Sequence, residues 1–238
     1  MTQKSSFALV IPCYNEEKAI AIFSDEIIDL RQKWLEKFAS IELNVIVVNN
    51  GSTDQSENLL RQHLAGLSYV SVINCLQRGY GAALKVGFAH GQADYYGFAD
   101  LDNTYPLLDI IPMLTLVLKQ KFDMVSGGRL NSQSKIPLTR MCGNLFYSLL
   151  ARLFYKTQIQ DTCSGLRVFS KNRRTEVLSL KQNDLSFSIE LTAHAFKYRW
   201  SLYEYPIQYR ERLGTSKLSI HTDGFKFLYI LLLKRIFA

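Results

Sequence analysis

The sequence predicts an α/β fold: a mostly parallel sheet with helices on both faces. Three observations lead there. In residues 1–128, five short apolar runs (Phe7–Ile11, Asn44–Val48, Val70–Asn74, Tyr95–Ala99 and Met124–Ser126) alternate with stretches of helical spacing. The runs are near-continuously apolar, as in parallel strands covered from both sides. Each of the first four is followed at once by a polar, turn-forming segment: "PCYNEE", "NNGSTD", "LQRGYG" and "DLDNTYP". Open parallel sheets bind ligands beyond the carboxyl ends of their strands, which is where these segments fall.

Between the runs, helical spacing covers 16–38, 54–65, 80–91 and 107–120, with Ser52 or Thr53 as N-cap of the second and Pro106 opening the fourth. Residues 141–155, "MCGNLFYSLLARLFY", place apolar side chains at 141, 145, 149 and 153 with 146, 150 and 154 beside them, so an amphipathic helix is expected. A strand at Leu166–Phe169, a helix near 187–199 and a strand at Leu202–Tyr209 follow, and an amphipathic C-terminal helix over 222–238 ends in "LLLKRIFA". No repeat, low-complexity tract or linker interrupts the chain, so a single domain over 1–238 is expected.

A hydrophobic content of 47% against 21% charged residues excludes a disordered chain. No apolar run is long enough to span a bilayer, and "MTQKSSFALVIP" lacks the apolar core and cleavage site of a signal peptide, so a cytoplasmic location is expected. Cys13, Cys75, Cys142 and Cys163 have neither CxxC pairing nor histidines at metal spacing, and are expected to be reduced and mostly buried. The charge is uneven. Residues 1–128 carry 10 Lys/Arg and 14 Asp/Glu, net −4, whereas 129–238 carry 18 and 7, net +11. The second half therefore faces something anionic: phosphates, nucleic acid or an acidic membrane. No nucleic-acid-binding module is recognisable, so nucleic acid is not expected.

Asp100 and Asp102 end the fourth run with Leu101 between them, and in extended chain they share a side. Two carboxylates that close repel, and either one is neutralised or a cation lies between them. Oxygen ligands with positions left for water suit Mg²⁺ or Mn²⁺ on a diphosphate; the alternative is a pair of helix-capping acids before Pro106. "NNGSTD" offers amides and backbone N–H groups to a polar ligand. "RGYGAA" is not the dinucleotide fingerprint, because Leu84 takes the third glycine position.

"ALVIPCYNEEKAI", "VIVVNNGSTDQS", "QRGYGAALKVGF" and "ADLDNTYP", in this order and spacing, resemble the nucleotide-sugar half of a family 2 inverting glycosyltransferase with the GT-A fold. "SGGRLN", "QDTCSGLRVFSK" and "YRERLGTSKL" resemble the polyprenol-phosphate branch, typified by dolichol-phosphate mannose synthase. The resemblance implies a GT-A, Rossmann-like sheet and a hexosyltransferase. Residues 1–128 would bind the nucleotide sugar, and 129–238 would face acceptor and membrane.

Carried over by position, it places Pro12, Tyr14, Asn15 and Glu16 against the base and ribose, with Asn49, Gln77, Arg78 and Gly79 in the same donor site. Asn49 stands where an acid is usual and Gln77 where Asn is common. Asp100 and Asp102 match the metal-binding DxD, with Mg²⁺ or Mn²⁺ implied as cofactor, and Thr104 replaces a frequent Gln. Arg129, Arg140, Arg212 and Lys217 match basic positions around donor and acceptor phosphates. Asp161 sits where the family has an acid near the acceptor, either a base or an anchor for an arginine. The catalytic set so implied is Asp102, Asp161, Arg129, Arg212 and Lys217.

The expected partners are a GDP- or UDP-hexose, mannose or glucose foremost, and a polyprenyl phosphate of dolichyl or undecaprenyl type. Peripheral contact with the cytoplasmic membrane face would run through the helix at 141–155 and the C-terminal tail, with Lys226, Lys234 and Arg235 toward anionic headgroups. A membrane-protein partner fits the same surface. The alternatives are a family 2 enzyme with a glycan, lipid or protein acceptor, and a nucleotide-sugar-binding protein with weakened catalysis.

Overall fold

The computed structural model describes residues 4–131, 134, 136, 138–214 and 220–236, with the backbone alone at 138–140, 220–223 and 233–236. Strands β1 (Ser5–Cys13), β2 (Ile41–Asn49), β3 (Val70–Asn74) and β4 (Tyr95–Phe98) alternate with helices α1 (Ile20–Lys37), α2 (Ser56–His63) and α3 (Tyr80–His90). After α4 (Ile110–Gln120) come β5 (Met124–Gly128), α5 (Leu138–Tyr155), β6 (Arg167–Ser170) and α6 (Arg174–Leu178). The chain ends in α7 (Phe187–Lys197), β7 (Leu202–Pro206) and α8 (Ile220–Ile236). Among the described residues one seven-stranded sheet results, ordered β3-β2-β1-β4-β6-β5-β7.

The sheet is mostly parallel, as expected, and β6 is the exception, antiparallel to both β4 and β5. Its direction follows from α5. That helix packs on α7 and α8 and does not cross back over a sheet face. The chain therefore re-enters the sheet from the edge at which β5 left it. Period-2 alternation on β1 splits the core: Phe7, Leu9 and Ile11 face α1 and α4, whereas Ala8 and Val10 face α3, α6 and α7. A third, smaller cluster joins Ile189 and Ala193 of α7 to Phe227, Ile230 and Leu231 of α8.

Local chemistry explains where elements depart from expectation. The second helix is preceded by Asp54, not Ser52 or Thr53, as the acceptor: its Oδ1 takes the Ser56 N–H at 2.9 Å. The fourth begins as a 3₁₀ turn, Leu107–Asp109, directly after Pro106. α6 has too short an apolar pattern to be read from sequence. The stripe Leu145, Leu149, Leu153 on α5 points outward, with Leu149 56% and Leu153 67% exposed, so it is not core packing. α8 buries Phe227 and Leu231 yet exposes Phe225 and Tyr229, so it is apolar on two sides and not amphipathic in the expected sense. Among the described residues no helix is long and apolar enough to cross a membrane. All four cysteines are free; Cys13 and Cys75 are buried, Cys163 is half-buried and Cys142 is exposed.

Candidate active site

β1 and β4 are neighbours from which the strand order grows in opposite directions, the point at which an open α/β sheet forms a crevice. A cavity of about 500 Å³ opens there. Its floor carries Asp100 and Asp102 after β4, and its walls carry Tyr14 and Glu16 after β1, Arg129 after β5, and Arg212. It extends between α5 and α8, where Asn144, Tyr147 and Phe227 line it.

The acid pair is held by three neighbours, Thr104, Arg212 and Tyr80. Asp102 is buried; its Oδ1 accepts the backbone N–H of Thr104 at 3.1 Å and the Thr104 hydroxyl, and its Oδ2 lies 2.8 Å from Arg212 Nη1. Arg212 Nη2 reaches Glu16 Oε1 at 3.1 Å, so one guanidinium bridges the β1 loop and the acid pair. Two backbone bonds hold it there: Arg210 N to Thr104 O at 2.9 Å and Leu213 N to Asp102 O at 3.1 Å. Asp100 Oδ1 accepts from the Tyr80 hydroxyl at 2.8 Å. Burial, reinforced by the charge of Asp102, pushes the Asp100 carboxyl up to about 7. The site thus shows the repulsion read from sequence, and the capping alternative fails, since no helix begins until Leu107.

The donor set fits a divalent cation. Two hard carboxylates meet in one cleft with space beside them, and a Cβ at Gly165 would lie 2.6 Å from Asp100 Oδ2, so only glycine leaves that carboxylate its place. Among the described residues no third His, Cys, Asp or Glu joins them, so a divalent cation held there would leave positions open to oxygens from outside the chain.

Arg129 and Asp161 form a second pair beneath the cavity wall. Asp161 accepts Arg129 Nε at 2.6 Å and Nη2 at 2.8 Å, and also the backbone N–H groups of Arg129 (3.1 Å) and Cys163 (3.2 Å). Burial pushes its carboxyl up, but the Arg129 charge and these donors prevail and hold it below the usual range. Four donors thus meet its two oxygens, three of them from Arg129. The rings of Tyr105 and Tyr209 lie 5.9 and 5.6 Å from the Arg129 guanidinium.

The donor loops spend most of their amides on one another. Asn49 Nδ2 donates to Asn74 Oδ1 at 3.1 Å and Asn49 Oδ1 accepts from Ser52 N at 3.2 Å. Asn50 clips the next loop, donating to Gln77 O and accepting from Gly79 N, each at 2.7 Å. Asn15 Oδ1 takes the Thr53 N–H at 2.7 Å. Gly79 has φ 132° and a Cβ there would strike Asn183 O, whose carbonyl also caps α3 through Ala82 N. The glycines of "RGYG" therefore admit the 182–184 backbone, and the loop amides build the cleft's shape more than its lining.

Of the residues singled out from sequence, Pro12, Tyr14, Glu16, Arg78, Gly79, Asp100, Asp102, Arg129 and Arg212 line the cavity. Asn15, Asn49 and Gln77 are not part of its lining, and Asp161 lies under Arg129. Lys217 is outside the described residues, as are the side chains of Arg140, Lys234 and Arg235. Lys226 pairs with Asp184 across the cavity rim. Tyr80, Tyr105, Tyr209 and Gly165 were not singled out, although all four lie inside quoted motifs. A tyrosine amid glycines or beside an acid pair was the available signal.

The profile of the family "Glycosyl transferase family 2" matches residues 8–174. The chain belongs to glycosyl transferase family 2. As a family 2 glycosyltransferase it is 28% identical over 234 residues to the low-salt glycan biosynthesis hexosyltransferase Agl6 of Haloferax volcanii, covering 95% of this chain but 53% of Agl6. It thus spans about half the length of that relative. It is 26% identical to the dolichyl-phosphate hexose transferase of the same organism (91% and 88% covered) and 25% identical to the dolichyl-phosphate beta-glucosyltransferase of Saccharomyces cerevisiae (92% and 71%). The glycosyltransferase superposes with a TM-score of 0.73 on glucosyl-3-phosphoglycerate synthase from Mycobacterium tuberculosis, a structure containing Mn²⁺, uridine diphosphate and phosphoglyceric acid. That match covers 97% of this chain and 78% of the other at 20% identity, and it establishes the GT-A fold.

Proposed function

We propose that the glycosyltransferase moves a hexose, mannose or glucose foremost, from a GDP- or UDP-sugar to a polyprenyl phosphate at the cytoplasmic membrane face, inverting the anomeric carbon. One observation carries this reading: the cleft holding Asp100 and Asp102 is continuous with a gap between α5 and α8, whose outer surfaces expose Leu149, Leu153, Phe225 and Tyr229. Sugar-phosphate chemistry at one end and lipid at the other suit a polyprenyl phosphate. The names of the dolichyl-phosphate relatives support the same acceptor class.

In this reading the chain acts as one domain. Residues 1–128 seat the donor, with the base against Pro12 and Tyr14, whose ring the Arg78 guanidinium faces at 5.6 Å. Mg²⁺ or Mn²⁺ held by Asp100 and Asp102 would supply Lewis-acid neutralisation of the departing diphosphate. Residues 129–238 seat the acceptor. Arg129, with Nε and Nη2 fixed by Asp161, presents its remaining nitrogen without a search over rotamers. Arg212 offsets repulsion between the two phosphates, and Arg140 and Lys217 extend the same positive surface. The acceptor phosphate is already an anion at neutral pH, so Asp161 has no proton to remove, and its role is to orient Arg129. Attack comes from the face opposite the leaving diphosphate.

Incubation with Mn²⁺ or Mg²⁺, a panel of GDP- and UDP-hexoses and a polyprenyl phosphate in detergent is expected to yield a glycolipid, lost in Asp102→Ala. Nucleotide binding without product from any donor would sink the reading. Flotation with anionic liposomes tests membrane attachment separately.

A further inference from the structure

The acid pair already has a cation of its own. Asp102 Oδ1 is taken by Thr104, and Asp102 Oδ2, the oxygen left to face the cleft, carries Arg212 Nη1 at 2.8 Å. A divalent ion and a guanidinium at that oxygen compete, because two cations in a partly desolvated cleft repel. Arg212 has a second acceptor in Glu16, 3.1 Å away, toward which it can lean when Asp102 is claimed. Its Nε is buried with no hydrogen-bond partner among the described residues. A buried donor left unmade is costly, and Arg212 lines the cavity, so a shift of its guanidinium toward the cleft would bring that donor to phosphate oxygens. The backbone around Arg212 is pinned to Thr104 and Asp102, so the exchange needs movement of the side chain alone.

We propose that Arg212 is the resident counter-ion of the acid pair, displaced from Asp102 by the divalent cation and re-partnered by the diphosphate that arrives with it. This rests on the metal and nucleotide chemistry proposed above and deepens it. Arg212 holds the cleft's charge balance between turnovers and makes metal binding weak until a diphosphate accepts the guanidinium. Nucleotide and cation then load together, since each removes an obstacle to the other.

The consequence has an unusual sign: removing a cationic residue needed for transfer strengthens metal binding. Mn²⁺ affinity is measured by electron paramagnetic resonance of free Mn²⁺, on the full chain without nucleotide and with uridine or guanosine diphosphate. Arg212→Gln, which keeps a hydrogen bond for Glu16, is expected to bind Mn²⁺ without nucleotide about tenfold more tightly than wild type, about 1.4 kcal/mol, while transfer falls. The strengthening of Mn²⁺ binding by diphosphate shrinks in this variant. Glu16→Gln, measured in parallel in case the first variant does not fold, leaves Arg212 to Asp102 and is expected to weaken nucleotide-free Mn²⁺ binding. Arg212→Gln binding no more tightly, or Glu16→Gln binding no more weakly, than wild type overturns the inference. If wild type fails to bind Mn²⁺ even with diphosphate, the metal-dependent reading itself falls; Mn²⁺ bound equally by all three proteins removes only the exchange.

Discussion

Asp100 should be a residue that the fold would be more stable without. Its carboxyl is pushed up to about 7 by burial and by Asp102, against an ordinary value of 3.8. The folded state therefore holds a proton on Asp100 that the unfolded chain has released, between roughly pH 4 and pH 7. Where the folded form binds more protons, stability falls as pH rises, and the full penalty stands above about pH 7. Three units at about 1.36 kcal/mol each set a ceiling of about 4 kcal/mol. Asp100 is partly exposed through the cavity mouth, and solvent screening brings the expected value to about 1–3 kcal/mol. Asp100→Asn keeps the shape and can still accept from Tyr80, but carries no charge. In urea denaturation with EDTA, the variant should be more stable than wild type by that amount at pH 8. The gain should shrink steadily on acidification and fall below about 1 kcal/mol near pH 4. Activity should be lost throughout. A variant no more stable than wild type at pH 8, or one whose advantage is the same at pH 4 and pH 8, refutes the electrostatic account of the pair.

Three further outcomes follow from the same geometry. Asp161→Asn leaves the buried Arg129 charge without its counter-ion and should cost about 3–5 kcal/mol. It should lower Tm by roughly 6–20 °C for a chain of this size, and pairing it with Arg129→Met should recover part of the loss in a double-mutant cycle. Since the Asp161 carboxyl is held low, its stabilising contribution should persist at every pH above about 4 and fade only below. Gly165→Ala puts a methyl group 2.6 Å from Asp100 Oδ2; transfer should fall about 100-fold or more with circular dichroism unchanged, a misplacement cost at the reacting centre. Leu149→Glu with Phe225→Glu charges the exposed apolar surface of α5 and α8, and should reduce liposome flotation while leaving nucleotide binding intact.

The parallel half of the fold was legible because each strand there is a short apolar run closed by turn chemistry, and periodicity is a local signal. The direction of β6 was not, because it depends on where α5 packs, which is a tertiary fact. The stripe Leu145, Leu149, Leu153 could be read as helical, but its spacing says nothing about which side is covered. In the site, Asp100 and Asp102 were legible because their spacing and strand-end position are both local. The Arg129–Asp161 pair spans 32 residues and Arg212 meets Glu16 across 196. Such partners are joined by topology, so the sequence suggested the residue types and left the pairings open. Asn49 shows the same limit within a loop: its amide was legible as a polar group at a strand end, but its bonds to Asn74 and Ser52 depend on how the loops meet.

The reversed strand β6 also bears on how the protein is made. Its two neighbours, β4 and β5, have no direct pairing with each other; β6 joins Gly97 and Phe98 on one side to Val125 and Ser126 on the other through Val168 and Arg167. During synthesis, the segment Tyr95–Phe98 therefore leaves the ribosome with one edge paired to β1 and the other open. That edge stays open until about residue 170 has emerged. An open apolar strand edge is a template for pairing with other chains, and a late-arriving central strand makes folding depend on distant contacts. Nascent chains halted near residue 130 should be prone to aggregate and to recruit chaperones, and the sheet should close cooperatively only once the β6 segment is available.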